Sequence, residues 1–164
     1  MNKVIIFGNS GSGKSTYAKQ LAKEFGLAHL DLDTVAWAES MPPERLTIVE
    51  SSKRIARFLS QNSKWVIEGC YADLLELLLP NVQQVIYLNL PIESCIENAR
   101  NRPWEPHKYE SKEAQDANLE MLIAWIAQYE NREDSFSHSA HLNLYKSFTG
   151  EKYMYTSNQR DYLF

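Results

Sequence analysis

The chain opens on an unbroken apolar run, Val4-Ile5-Ile6-Phe7, set between Lys3 and Gly8. A short run of β-branched and aromatic residues ending at glycine predicts a strand over 3–7 buried on both faces, as in a parallel sheet. A glycine-rich turn over 8–13 follows, and then the period changes. Ala18, Leu21, Ala22 and Phe25 recur at helical spacing over 14–25, with Gly26 as the stop. The alternation continues, with Ala28–Asp31 reading as a second strand, Trp65–Gly69 as a third, Gln84–Asn89 as a fourth and Lys152–Thr156 as a fifth. Helices are predicted over 44–61, with Leu46, Val49, Ile55 and Leu59 on one face, and over 71–79, 92–100, 113–131 and 135–148. A short terminal helix is predicted from Asn158. Met41-Pro42-Pro43 breaks the chain ahead of the first of these helices. Residues 101–112 (NRPWEPHKYESK) hold two prolines and no apolar period, so they read as a loop or lid. Strands alternating with helices, without an internal repeat, predict a single α/β domain over 1–164 with a mainly parallel sheet.

Composition narrows the function classes. At 164 residues and 44% hydrophobic, the chain can bury a core without disulfide or metal staples. Seventeen Lys+Arg against twenty-one Asp+Glu leave a formal charge of −4, which argues against nucleic acid as a partner. Cys70 and Cys95 lie far apart and form no CxxC pair, as expected of a reduced compartment. No stretch approaches the ~20 apolar residues of a membrane span, and the first apolar run is too short for a signal segment. The expectation is a cytoplasmic protein with no membrane partner.

The glycine-rich turn carries the sharpest signal. Gly8-Asn9-Ser10-Gly11-Ser12-Gly13-Lys14-Ser15 matches G-x-x-x-x-G-K-[ST] at every fixed position, and Thr16 follows. The glycines let phosphate approach backbone N–H groups with no Cβ in the way, and the opening helix turns its positive end to the same anion. Lys14 is expected to reach the β- and γ-phosphates of ATP, and the Ser15 hydroxyl to ligate Mg²⁺.

Ligands of such sheets bind beyond the carboxyl ends of the strands, where Asp31, Asp33 and Glu68 fall. Asp33 is a candidate to orient or deprotonate an acceptor hydroxyl, Glu68 to hold Mg²⁺ through water, and Asp31 to support the metal shell or the Lys14 environment. Asp31 and Asp33 capping the following turn with Thr34 is the competing reading. Arg100 and Arg102, at the start of the lid, are candidates to neutralise charge on a transferring phosphoryl group, against a role as helix-end cations. His107, Lys108 and Tyr109 share that loop. Arg54 and Arg57 are candidates for an anionic acceptor group, or simply a solvated helix face. Trp37 and Tyr71 line the acceptor pocket or join the core. His138 and His141 sit three apart with no third ligand nearby and read as surface histidines rather than a metal site.

The phosphate loop on the first strand, Asp31-Leu32-Asp33, Glu68-Gly69 and an Arg-bearing lid together resemble the small P-loop kinases, such as adenylate, shikimate and gluconate kinases. More closely, FGNSGSGKST, HLDLDTVAW, WVIEGCY and RPWEPHKYESKEAQDANLEML resemble the bacterial proteins called DNA topology modulation proteins or adenylate-kinase-like ATPases. The resemblance implies a three-layer P-loop NTPase sandwich with a five-stranded parallel sheet in the order 2-3-1-4-5. It also implies an acceptor-side helical segment over about 34–62 and a lid over about 101–118. It puts ATP at Gly8–Thr16, Asp33 opposite the acceptor, Glu68 and Gly69 on the substrate side, and Ser157, within Thr156-Ser157-Asn158, in the loop that cradles adenine. The implied activity is Mg²⁺-dependent transfer of the ATP γ-phosphoryl group to a small acceptor. A nucleoside-monophosphate kinase and a nucleotide-dependent regulatory or DNA-topology-associated ATPase stand as alternatives. The chain lacks the glycine triplet of shikimate kinases and the Asp-Gly-Phe-Pro-Arg run of adenylate kinases, which leaves the acceptor open.

Overall fold

A computed structural model describes residues 1–159. Strand β1 (Lys3–Gly8) is the centre of a five-stranded sheet, flanked by β3 (Trp65–Gly69) and β4 (Gln84–Leu88). Outside these lie β2 (Ala28–Asp31) and β5 (Glu151–Tyr155), giving the order β2-β3-β1-β4-β5 with every pairing parallel. This is the expected P-loop NTPase sheet. Its central strand explains the opening apolar run, because Val4, Ile5, Ile6 and Phe7 are all fully buried.

The two-residue period of a strand sorts these side chains onto two faces. Ile5 and Phe7 join Trp65, Ile67, Val85 and Tyr87 beneath α2 (Asp33–Ala36), α3 (Ile48–Gln61), α4 (Ala72–Leu78) and α8 (His138–Ser147). Val4 and Ile6 join Val66, Ile86 and Leu88 against α1 (Lys14–Phe25), α5 (Ile92–Arg100) and α7 (Leu119–Ala127). The remaining helix, α6 (Lys112–Ala117), follows the lid loop. Parallel pairing brings the carboxyl ends of β1, β2 and β3 to one edge, with Asp31 opposite Glu68 and Phe7 opposite Gly69.

Three boundaries differ from the expected ones. The helix predicted over 44–61 starts at Ile48, because Thr47 and Glu50 form a reciprocal capping box there. Residues 37–47 are non-helical, with Trp37 bridged to Arg45, so the segment over about 34–62 is helical only at α2 and α3. Leu46 had the right spacing for the helix face, but it lies ahead of the cap. The helix predicted over 113–131 is broken at Asn118, whose side chain turns to the Tyr109 hydroxyl at 3.0 Å. The helix predicted over 135–148 begins at His138, where Ser137 accepts a hydrogen bond from the Ala140 N–H. The terminal helix predicted from Asn158 runs into 160–164, outside the described residues. Among the described residues no helix is long and apolar enough to cross a membrane.

Candidate functional site

The phosphate loop runs from the end of β1 into α1. Asn9 is buried and its amide donates to the Ile126 carbonyl at 3.2 Å, which fixes the loop against α7. The Asn98 amide on α5 donates to the Gly11 carbonyl at 2.8 Å and pairs reciprocally with the Asn158 amide. Asn98 therefore ties the loop to the Thr156-Ser157-Asn158 segment. At Gly11, φ is +78°, and an added Cβ would sit 2.3 Å from the Cys95 carbonyl oxygen. Gly11→Ala is thus expected to cost at least about 2 kcal/mol in a denaturant titration, from positive-φ strain together with a backbone clash. A loss below half of that would mean the loop can move off α5. Gly13 caps α1 in the left-handed conformation, with no side-chain cap and no acid in the first turn. The helix presents its positive end with nothing anionic of its own to neutralise it.

Lys14 rests its Nζ on the Asn9 carbonyl at 2.8 Å. The Ser15 hydroxyl donates to Glu68 Oε1 at 2.7 Å, and His29 Nε2 lies 3.3 Å from the same oxygen. Glu68 is 1% exposed and sits between β1 and β2, so α1 and β3 bring Ser15 and Glu68 together as expected of a shared role. Among the described residues no group of three His, Cys, Asp or Glu side chains is placed to hold a metal ion.

A second polar cluster is built on Asp33, the first residue of α2. Its Oδ1 accepts from the Tyr71 hydroxyl at 2.5 Å, and that hydroxyl in turn accepts from Trp37 Nε1 at 2.8 Å. Its Oδ2 lies 3.1 Å from Lys108 Nζ, which reaches over from the lid. Burial pushes the Asp33 carboxyl up, but the Lys108 charge and the Tyr71 hydrogen bond outweigh it and hold the group below the usual carboxylate range. Asp31 is displaced the other way: burial, then the charges of Glu68 and Asp33, raise it. Its Oδ1 also accepts from the Asp33 N–H at 2.9 Å, so the turn-capping reading is satisfied in the same residue.

Arg45 completes this cluster. It pairs with Asp73 at 2.9 Å and its guanidinium lies 5.0 Å from the centre of the Tyr71 ring. The sequence offered Arg54 and Arg57 instead; both are exposed on α3 and, among the described residues, enter no ion pair. This place of Arg45 was not legible, because its partners are Tyr71, in the turn after β3, and Asp73, in the first turn of α4, and only the non-helical path of 37–47 delivers it there. Arg102 pairs with Glu105 at 3.1 Å, while Arg100 is exposed beside it at the edge of a small cavity with Tyr109 and Asp116. Gly69 is buried under Leu32, whose Cβ would lie 2.9 Å from an added methyl. Ser157 is exposed and its hydroxyl donates to the Gln159 carbonyl. Ser10 and Thr16 flank the loop, half-buried and exposed respectively.

His141 departs from the surface position expected of it. It is fully buried beneath the sheet, with Nε2 2.8 Å from the Cys70 carbonyl and Nδ1 2.6 Å from the Tyr129 hydroxyl. A helix that docks on the sheet through α4 buries whichever histidine faces inward, and two histidines three apart on one helix do not reveal which face that is.

A search of curated proteins finds no match to this sequence. Solved structures do match: shikimate kinase from Acinetobacter baumannii in complex with shikimate is similar over 98% of this chain and 86% of its own, at 17% identity and a TM-score of 0.54. TT1252 from Thermus thermophilus is similar over 94% and 88%, at 15% identity and a TM-score of 0.53. At such identities the likeness is one of fold. In sequence, the model of the AAA domain matches residues 4–118, from β1 through the phosphate loop, both acid-bearing strand ends and the lid, and the chain belongs to this family of P-loop NTPases.

Proposed function

We propose that the protein is a small-molecule kinase that transfers the γ-phosphoryl group of ATP to a hydroxyl acceptor. One observation supports the reading: a carboxylate oriented by Tyr71 and reached by Lys108 from the 101–112 loop, Asp33, stands within the field of the phosphate-loop lysine, Lys14. An oriented acid positions an acceptor hydroxyl for attack, and a loop closing over it shelters the transfer from water.

Lys14 and the amino end of α1 would bind the β- and γ-phosphates, and Arg100 and Arg102 would neutralise charge that spreads over the γ-oxygens. The acceptor oxygen forms a bond to the γ-phosphorus as the bond to the β,γ-bridging oxygen breaks, releasing ADP. The acceptor proton passes to Asp33. A carboxylate held below its usual range is a weak base, which suits a loose transition state in which the hydroxyl is oriented early and deprotonated late. Ser15 and Glu68 offer hard oxygen donors 2.7 Å apart, the chemistry Mg²⁺ takes, and would hold that ion. When bound it supplies charge neutralisation across the β- and γ-phosphates. Arg54, Arg57 and Arg45 are the candidates for an anionic group on the acceptor, and Ser157 and its neighbours for the base.

The test is ADP production from Mg·ATP against a panel of nucleoside monophosphates, nucleosides, shikimate and sugar acids. Strong stimulation by one class, lost in Lys14→Ala, is the expected result. Slow Lys14-dependent hydrolysis that no acceptor accelerates would overturn the reading and favour a regulatory ATPase.

A further inference from the structure

The lid loop is braced from within. Trp104 Nε1 donates to the Tyr109 carbonyl at 3.0 Å, and Asn118 Nδ2 donates to the Tyr109 hydroxyl at 3.0 Å. The Gln115 side chain donates to the Pro103 carbonyl at 3.1 Å and accepts from the Glu105 N–H at 2.9 Å. A loop bonded in this way moves as a unit. Lys108 joins that unit to the opposite wall, with Nζ 3.1 Å from Asp33 Oδ2 and 3.6 Å from Asp31 Oδ2. The same ammonium lies 3.5 Å from Glu105 Oε2 on its own loop.

We propose that Lys108 is a latch: it holds the lid across the cleft in the absence of acceptor and occupies the Asp33 oxygen that an acceptor hydroxyl needs. Tyr71 lies on Oδ1 and Lys108 on Oδ2; each oxygen keeps a further lone pair, so what an acceptor contests is the place beside Oδ2 that the ammonium fills. Glu105 makes release inexpensive, because it travels with the lid and keeps the ammonium paired after the contacts to Asp31 and Asp33 break. Lys108 is therefore a positioning residue, acting through Asp33. The competition rests on the kinase reading above; the latch itself does not.

Tryptophans sit where they can report on it. Trp104 lies in the lid and Trp37 is bonded to Tyr71 behind Asp33, whereas Trp65 is sealed in the sheet at 1% exposure. In fluorotryptophan-labelled protein without nucleotide, Lys108→Met is expected to shift the fluorine resonances of Trp104 and Trp37 and leave that of Trp65 in place. Lys108→Arg should restore the original positions. Molar salt should move the unmodified protein toward the Lys108→Met spectrum, since the contact is partly exposed and therefore screened. Unmoved Trp104 and Trp37 resonances in Lys108→Met would overturn the latch, as would equal shifts in the arginine variant. Where the panel assay identifies an acceptor, its KM should fall several-fold in Lys108→Met, because the open state that admits the acceptor is no longer rare. A fall in kcat at constant KM would instead assign Lys108 to the transition state and overturn the proposal. If no acceptor stimulates turnover in any variant, the kinase reading fails, and the fluorine resonances still decide the latch.

Discussion

Lys14→Ala is expected to reduce acceptor-dependent ADP formation by about a thousandfold while leaving the fold intact. Removing a preorganised charge aimed at a developing anion costs about two to three orders of magnitude, which corresponds to about 4 kcal/mol of transition-state stabilisation. Lys14 is half-buried, and among the described residues its side chain has one hydrogen bond, to the Asn9 carbonyl at 2.8 Å. That carbonyl also accepts from the Ser12 N–H at 3.2 Å, so it keeps a partner when the lysine is gone. The loop stays anchored through Asn9 to α7 and through Gly11 to α5. The variant should therefore melt within about 1 kcal/mol of the unmodified protein, as substitutions outside the core generally do. Steady-state kinetics and a denaturant titration on the same preparation check both halves. Turnover within tenfold of the unmodified protein would mean that the phosphate loop does not carry the chemistry.

That prediction uses a residue the sequence identified at once, and the reason is local. The glycine positions, the strand before them and the helix after them all lie within 3–25, so short-range pattern contains the whole device. The sheet order 2-3-1-4-5 comes from the family resemblance, and the inner places of β1 and β4 agree with the four consecutive buried apolar residues that each carries, Val4–Phe7 and Val85–Leu88. The acceptor side is different. Asp33 and Trp37 at the two ends of α2, with Arg45, Tyr71 and Lys108, come from four separate stretches, and what joins them is packing across the carboxyl edge of the sheet. Spacing could nominate Asp33 as a strand-end acid, but it could not show that the lid lysine rather than the lid arginines reaches it. Nor could it place Arg45 beside Asp73 and Tyr71 while Arg54 and Arg57 stay exposed, because that depends on where Thr47 starts α3.

The buried histidine gives the second large effect. The Cys70 carbonyl can only accept, so Nε2 of His141 carries the proton that is donated to it. In the neutral ring Nδ1 then accepts from the Tyr129 hydroxyl, and the Tyr129 oxygen accepts from the Tyr87 hydroxyl at 2.8 Å. The chain has one direction, and it braces the carbonyl one residue after Gly69, at the turn that carries Tyr71 toward Asp33. Burial is the main cause that lowers the His141 pKa, to about 4 from 6.5, and the Lys14 charge adds to it against the opposing Cys70 hydrogen bond. A folded-state pKa below the unfolded one means that the unfolded chain binds the proton first as pH falls. Stability from this group is therefore complete above about 6.5 and is lost progressively as pH drops toward 4. At 1.36 kcal/mol per pKa unit, the loss at acid pH amounts to about 3 kcal/mol. His141→Gln cannot titrate, so subtracting its stability profile from that of the unmodified protein removes Asp31, Asp33 and every other carboxylate common to both. The difference should grow by about 3 kcal/mol between acid and neutral pH in denaturant titrations, with the unmodified protein gaining as pH rises. Parallel profiles would mean that the ring titrates alike in the folded and unfolded states, and a difference of the opposite sign that it is held protonated in the fold, with Tyr129 accepting from it and the hydroxyl chain running the other way.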